Sequence, residues 1–249
     1  MSAWVGIGRS DVGLVRASNQ DAFVAIDRVG LWAVADGMGG HIGGGIAAQT
    51  AIASVKAQAE LLADPLHQGH QAPAEFLTTV ILQAHHAILG RAHLESQLKD
   101  MGTTIVMLLI LPTPTPTAYV AHLGDSRAYR FRSGTLAALT RDHSLMEKYL
   151  ERGILTPESA RTHPERHVLT RALGMSSPVK PDIASYPLEP HDLFLLCSDG
   201  LTKMLEDNDI REMCLHANGD PILACDSLIA ESLARGGKDN VTVVAIAHP

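Results

Sequence analysis

The segment from Leu31 to Ala48 reads LWAVADGMGGHIGGGIAA and joins three kinds of sequence. An apolar run typical of a buried strand ends in Asp36, a glycine-rich stretch follows, and a run of small residues then begins. An acid at the end of a strand, beside so much bare backbone, fits two kinds of site. One is a glycine loop that binds the phosphates of a nucleotide, and the other is a metal site.

The composition is that of a globular protein with a sizeable core. Of the 249 residues, 46% are hydrophobic and 19% are charged. The formal net charge of -7, and a sequence without any run of lysines and arginines, argue against a nucleic-acid partner.

Cysteine usage and hydropathy bear on the compartment. The three cysteines form no CxxC pair, which favours a reducing cytoplasm over a disulfide-bonded, secreted protein. No signal peptide is evident, and the longest apolar run, TIVMLLILP, is too short to cross a bilayer. We therefore expect a cytoplasmic protein that does not associate with membranes.

Apolar patterns predict strands and helices along the whole chain. Strands are expected at 4–8, 22–27, 31–35, 103–111, 117–123, 126–131, 135–139, 192–199 and 240–247, with a proline-rich loop at 112–117. Helices are expected at 46–62, 74–97, 207–217 and 221–234, with short surface helices within 142–173 and a break at 64–73. Strands at both ends with helices between them favour one α/β or α+β domain over two sequential domains.

Four aspartates adjoin apolar strands: Asp36 in AVADG, Asp125 in VAHLGDS, Asp199 in FLLCSDG and Asp239 in KDNVTVV. Taken singly, an aspartate beside a glycine at a strand end is usually a turn. If the four strands share a sheet, however, the carboxylates converge at one edge, and a divalent cation would relieve their repulsion. Oxygen ligands select magnesium or manganese over zinc.

A nucleotide loop is the alternative interpretation of the glycines. The sequence GGGIAA from Gly43 matches GxGxxA, with a strand upstream and a helix downstream. Residues 37–42, however, separate the strand from these glycines, whereas a dinucleotide-binding fold turns directly from one into the other. No second strand ends in an acid about 20 residues later. A metal site is therefore the better interpretation.

Eight motifs in order carry a resemblance that spans almost the whole chain. They are VRASNQDA, VADGMGGH, GTT at Gly102, AHLGDSRAYR, TRDHSL, HVLTRALG, LLCSDGLT and GGKDNVTVV. In these motifs the sequence resembles the metal-dependent Ser/Thr protein phosphatases (the PPM family, protein phosphatase type 2C) in their compact bacterial form. The resemblance implies an α+β fold, a four-layer α-β-β-α sandwich of two antiparallel sheets flanked by helices, with a metal site at one edge. It also implies a single catalytic domain over residues 1–249, with a flap segment at about 142–173.

The resemblance implies a set of metal ligands, position by position. Asp36 would bridge two metals, and the Gly37 carbonyl would bind the second. Asp199 and Asp239 would complete the first metal's ligands, and Asp21 would reach the second metal through water. The implied cofactors are two tightly bound Mn²⁺ or Mg²⁺ ions.

The same resemblance implies a third, weaker ion and a substrate-binding residue. Asp125, with Asp199, would hold the third ion, and Arg16 would bind the substrate phosphate through its planar fork. The reaction is then attack of a metal-bridging hydroxide on phosphorus. Eukaryotic relatives have a histidine where this chain has Met38, and the nearby His41 is the candidate general acid, although it could equally stabilise its loop.

These features together predict a protein serine/threonine phosphatase. The expected partners are proteins phosphorylated on serine and threonine, and the expected state is a monomer. Two alternatives stay open: a catalytically silent relative that only binds phosphoproteins, and a small-molecule phosphatase on the same scaffold. The intact Asp36, Asp199 and Asp239 argue against the silent relative.

Overall fold

The computed structural model describes residues 4–39, 42–111, 116–175 and 179–248. The strands are β1 Val5–Asp11, β2 Asp21–Ile26, β3 Leu31–Met38, β4 Gly102–Thr103, β5 Ile105–Leu111, β6 Thr117–Leu123, β7 Arg127–Arg132, β8 Thr135–Ala138, β9 Asp182–Pro187, β10 Leu193–Cys197 and β11 Val241–Ala247. The helices are α1 Gly43–His67, α2 Pro73–Leu94, α3 Leu145–Glu151, α4 Pro157–Thr162, α5 Asp199–Thr202, α6 Asp207–Ala217 and α7 Pro221–Ala234, with a 3₁₀ turn at Ser96–Leu98.

The strands form two antiparallel sheets. One sheet has the order β1-β11-β10-β7-β8, and the other has the order β2-β3-β5-β6-β9, with β4 paired to the end of β3. Each sheet thus combines strands from both halves of the chain, which brings distant segments together at its edges.

Three apolar clusters fix the layers. The alternation of side chains along β3 sends Trp32 and Val34 towards Phe194 and Leu196 of the opposite sheet, where they form the central cluster. The intervening residues of β3 face α1 and α2, and the other sheet packs on α6 and α7 in the same way. The result is a helix, sheet, sheet, helix order, which confirms the expected α+β sandwich.

Most predicted elements are present, with shifted ends. Helices α6 and α7 have the predicted bounds, and the short helices predicted within 142–173 appear as α3 and α4. The break expected from residue 64 was wrong, because buried Ala63 and Leu66 keep the last turn of α1 helical. Strand β9 was not predicted. Residues 112–115 of the predicted loop lie outside the described residues.

Candidate metal centre

Four of the predicted acids surround one cavity of about 1020 Å³. Asp36 lies in β3 of one sheet, and Asp125 lies in the turn between β6 of that sheet and β7 of the other. Asp199 follows β10 and Asp239 precedes β11, both strands of the second sheet. The four strand ends thus belong to two sheets rather than to one, as the resemblance to a two-sheet sandwich implies. The acids meet where the edges of the two sheets come together, which four isolated strand ends could not reveal.

The backbone of Asp36 is held by the GTT motif. Thr104 Oγ1 accepts a hydrogen bond from the Asp36 N–H at 3.0 Å, and Thr103 Oγ1 donates to the Asp36 carbonyl at 2.8 Å. Thr104 Oγ1 in turn lies 2.6 Å from the hydroxyl oxygen of Ser126, the residue after Asp125. These hydroxyls connect two of the acids, so the motif has a positioning role.

Asp21 stands directly opposite Asp36 in the antiparallel register of β2 and β3. Its side chain is almost fully buried and accepts a hydrogen bond of 2.7 Å from Ser198, the residue before Asp199. Ser198 also accepts the N–H of Thr242 in β11 at 2.9 Å. A single serine therefore joins an acid of one sheet to the acid-bearing strands of the other.

Glycines beside two of the acids make room for neighbouring backbone. A Cβ on Gly37 would lie 2.1 Å from the Gly44 carbonyl oxygen of α1, and a Cβ on Gly200 would lie 1.9 Å from the Asn240 carbonyl oxygen. Side chains at either position would push apart the segments that carry the acids. The Asp-Gly pairs are therefore a packing requirement of the site as well as a turn signal.

Burial and mutual repulsion raise the pKa of three carboxyls. Burial is the main cause in each case, and it raises the pKa of Asp21 to about 6 and that of Asp125 to about 7. Burial and then the charges of Asp21 and Asp199 raise the pKa of Asp36 well above its ordinary value. Crowded carboxylates of this kind need positive charge, and an oxygen-only donor set suits Mg²⁺ or Mn²⁺. The residues present therefore fit a divalent metal site.

Asp239 instead has cationic side chains beside it. Arg16 Nε and Nη2 lie 2.9 and 3.0 Å from its two carboxylate oxygens, so the arginine fork grips Asp239. Lys203 Nζ lies 2.8 Å from Asp239 Oδ2. Burial would raise the pKa of Asp239, but the hydrogen bond and charge of Lys203, with the charge of Arg16, outweigh burial and lower it.

Asn240 and Lys203 are site residues that the sequence analysis missed. The Asn240 amide donates to the carbonyls of Val12 and Ser18 at 2.9 Å each, and its oxygen accepts the Gln20 N–H at 2.9 Å. It thereby ties the loop that carries Arg16 to the start of β11. The signal that could have identified Asn240 was its position next to Asp239 in the GGKDNVTVV motif.

Two histidines bear on the identity of the general acid. His41, the candidate general acid, lies outside the described residues. His167 lines the cavity, and burial, followed by the charges of Lys203 and Arg166, lowers its pKa. At neutral pH that shift favours the uncharged ring, which makes His167 a poor proton donor.

A second cluster lies outside the acidic cavity. Ligand atoms of His122, His143 and Asp182 lie within 4.8 Å of one another. The Gly124 N–H donates to His143 Nδ1 at 3.2 Å, so the neutral ring carries its proton on Nε2, 3.1 Å from Asp182 Oδ2. Arg171 also donates to Asp182, at 2.7 Å. These hydrogen bonds account for the cluster without a metal.

Comparisons with known proteins agree with this geometry. The family described as Protein phosphatase 2C matches residues 14–236. The serine/threonine protein phosphatase PstP of Mycobacterium tuberculosis is 38% identical over 238 residues, which cover 95% of this chain and 43% of PstP. The serine/threonine phosphatase stp of Listeria welshimeri is 33% identical over 246 residues, covering 96% of this chain and 93% of that protein.

A solved structure also resembles this chain in both fold and sequence. The crystal structure of the catalytic domain of the serine/threonine protein phosphatase PstP, in complex with two manganese ions, has a TM-score of 0.82 and 32% identity, covering 98% of both chains. The chain thus spans less than half of full-length PstP and nearly all of the domain in that crystal. From the family match and these relatives we conclude that the chain belongs to the protein phosphatase 2C family.

Proposed function

We propose that this protein is a metal-dependent phosphatase that hydrolyses phosphoserine and phosphothreonine in proteins. The observation that carries the proposal is the convergence of partly buried, mutually repelling carboxylates and an arginine on one cavity. The names of its relatives, which are serine/threonine phosphatases, support the same activity. The ligand acids are all present, which disfavours a silent phosphoprotein-binding relative.

We assign the metal ligands as the sequence resemblance implies them. Asp36, Gly37, Asp199 and Asp239 would hold two ions, with Asp21 acting through water, and Asp125 would hold a third ion with Asp199. The PstP crystal with two manganese ions supports manganese as a cofactor for this chain. When bound, such ions would supply positive charge to the phosphate oxygens and lower the pKa of an attacking water molecule.

The chain's own residues would bind and orient the substrate. Arg16 is half exposed at the cavity, and its guanidinium can offer two parallel N–H donors to phosphate oxygens as it does to Asp239. Asn240 holds the loop from which Arg16 projects. We assign protonation of the leaving serine or threonine oxygen to His41.

We further propose that residues 1–249 act as one catalytic domain, in which the flap, about 142–173, helps to choose substrates. Arg161, Arg166 and His167 of this segment line the cavity. Asp142 joins the base of the flap to Arg127 by two hydrogen bonds of 2.8 Å. A chimera carrying the flap of the Listeria relative should change the preference among phosphopeptides. An unchanged preference would contradict this role.

We propose a cytoplasmic monomer that acts on phosphoproteins without membrane or nucleic-acid partners. All three cysteines are free and buried, which is consistent with a reducing compartment. Among the described residues, no helix is both long and apolar enough to cross a bilayer. Size-exclusion chromatography with light scattering would test the monomer.

The activity has a direct test. Purified protein with Mn²⁺ should release phosphate from phosphoserine peptides and from an aryl phosphate, and a chelator should stop both reactions. Hydrolysis of neither substrate would favour the silent relative. Hydrolysis of the aryl phosphate and of small metabolite phosphates, but not of phosphopeptides, would favour a small-molecule phosphatase.

A further inference from the structure

We propose that Lys203 competes with the metal: its ammonium group and a divalent cation bind the same oxygens of Asp199 and Asp239. This inference rests on the proposed metal-dependent function and deepens it. It assigns to Lys203 the role of setting how tightly one of the two main metal positions binds its ion.

The geometry places the ammonium between two of the assigned ligands. Lys203 Nζ lies 2.5 Å from Asp199 Oδ2 and 2.8 Å from Asp239 Oδ2. Its side chain is 31% exposed, and those of Asp199 and Asp239 are 19% and 16% exposed. Charge pairs in such partly buried surroundings are screened less by water than surface pairs are.

The local backbone makes this contact a fixed feature of the fold. The Lys203 N–H donates to the Asp199 carbonyl at 2.8 Å, which closes the helical turn of α5. Residues four apart on a helical turn lie on the same side, so Lys203 is directed to its own Asp199. The contact to Asp239 then bridges β10 and β11, the two strands that bring these acids to the cavity.

Competition follows from the chemistry of the shared atoms. A lysine ammonium is a compact charge that donates to carboxylate oxygens, and Mg²⁺ or Mn²⁺ binds the same lone pairs. Two cations at these oxygens would also repel each other. Lys203 must therefore withdraw from at least one carboxylate when an ion binds, and the cavity that it lines gives its side chain room to do so.

The competition from Lys203 should act mainly on the metal positions that use Asp199 and Asp239. Asp21 is held by the Ser198 hydroxyl, and the Asp36 backbone is held by threonines, so these acids do not depend on a contact with Lys203. Lys203 should weaken most the ion positions that use Asp199 and Asp239, whose oxygens it contacts, and should weaken less the position assigned to Gly37 and Asp21, because its charge also acts on Asp36.

Calorimetric titration of chelator-treated protein with Mn²⁺ tests this inference. Lys203→Gln should bind the ion held by Asp199 and Asp239 about tenfold more tightly than the wild type, with a smaller gain at the other main position. Lys238→Gln is the matched control, because Lys238 carries the same charge and lines the same cavity. The metal-free Lys203→Gln protein should also melt at a lower temperature, because Asp199 and Asp239 lose their shared cation. Lys203→Met is a second variant, and circular dichroism verifies that each one is folded.

The outcomes separate this inference from the proposed function. Equal or weaker Mn²⁺ binding by the Lys203 variants would overturn the inference, as would an equal gain in Lys238→Gln, since a general field effect would then be the cause. If the wild type binds Mn²⁺ and hydrolyses a phosphoserine peptide in either case, the proposed function stands. A wild type that binds no Mn²⁺ would overturn both.

Discussion

At the scale of single residues, the site is a set of carboxylates that are partly removed from water and repel one another. Asp21 is buried, Asp36 and Asp125 are partly buried at the cavity, and the pKa values of all three are raised. An acid with a raised folded-state pKa binds its proton more tightly in the folded protein. Its stabilising effect is complete below the ordinary aspartate pKa of 3.8 and is lost as the pH rises through the folded-state value.

The raised pKa values of Asp21 and Asp125 should therefore lower the melting temperature of the metal-free protein as the pH rises, against the opposite effect of His85, His143 and His167, whose pKa values are lowered. The window is set by the pKa values of about 6 for Asp21 and about 7 for Asp125. For a chain of this size, each kcal/mol lost lowers the melting temperature by about 2–4 °C. Differential scanning calorimetry from pH 5 to pH 8 would measure the fall, and Asp125→Asn should reduce it. Added Mn²⁺ should restore stability at pH 8, and an Asp125→Asn protein whose melting temperature depends on pH as that of the wild type does would contradict the account.

The role assigned to His41 depends on the leaving group. An aryl phosphate has a good leaving group that needs no proton, whereas a serine oxygen does need one. His41→Ala should lower kcat on a phosphoserine peptide by about 100-fold or more and leave aryl phosphate hydrolysis nearly unchanged. Equal losses on both substrates would instead indicate that His41 stabilises its loop.

At the scale of elements, the acid-bearing strands depend on tight packing at Gly200. Gly200→Ala would force its new methyl group against the Asn240 carbonyl and move α5 away from β11. We expect a loss of about 1–3 kcal/mol in the free energy of unfolding, with weaker Mn²⁺ binding. Gly90→Ala in α2 is the control, because its Cβ would meet no atom within 4 Å and alanine favours a helix. Urea unfolding would rank the two variants, and equal stabilities would contradict this explanation.

The elements and site residues that the sequence predicted share a local signal. Helices α6 and α7 have the bounds that their apolar patterns predicted, and the structure shows local end signals there: a capping residue precedes each helix, and Asn218-Gly219 separates them. Strand β9 was missed because it has no apolar run and most of its residues are exposed. The strand-end aspartates were found from their apolar neighbours. Asn240 was not, because its partner Val12 lies 228 residues away in the chain.

At the scale of the whole molecule, the site exists only because the two sheets meet at one edge. Asp36 comes from one sheet, Asp199 and Asp239 adjoin strands of the other, and Asp125 lies in the turn that connects the two sheets. The Trp32 and Phe194 side chains in the cluster between the sheets hold this arrangement. The sequence alone predicted which acids would gather, through the family resemblance, but not how the two sheets divide them.

Diffraction from crystals grown with Mn²⁺, measured at the manganese absorption edge, tests the central claim most directly. The account predicts two anomalous peaks in the cavity, with Asp36 ligating both ions and with Asp199 and Asp239 ligating one of them. Asp36→Asn crystals grown in the same way should show weaker peaks or none. Wild-type crystals with no anomalous peak among Asp36, Asp199 and Asp239 would contradict the account.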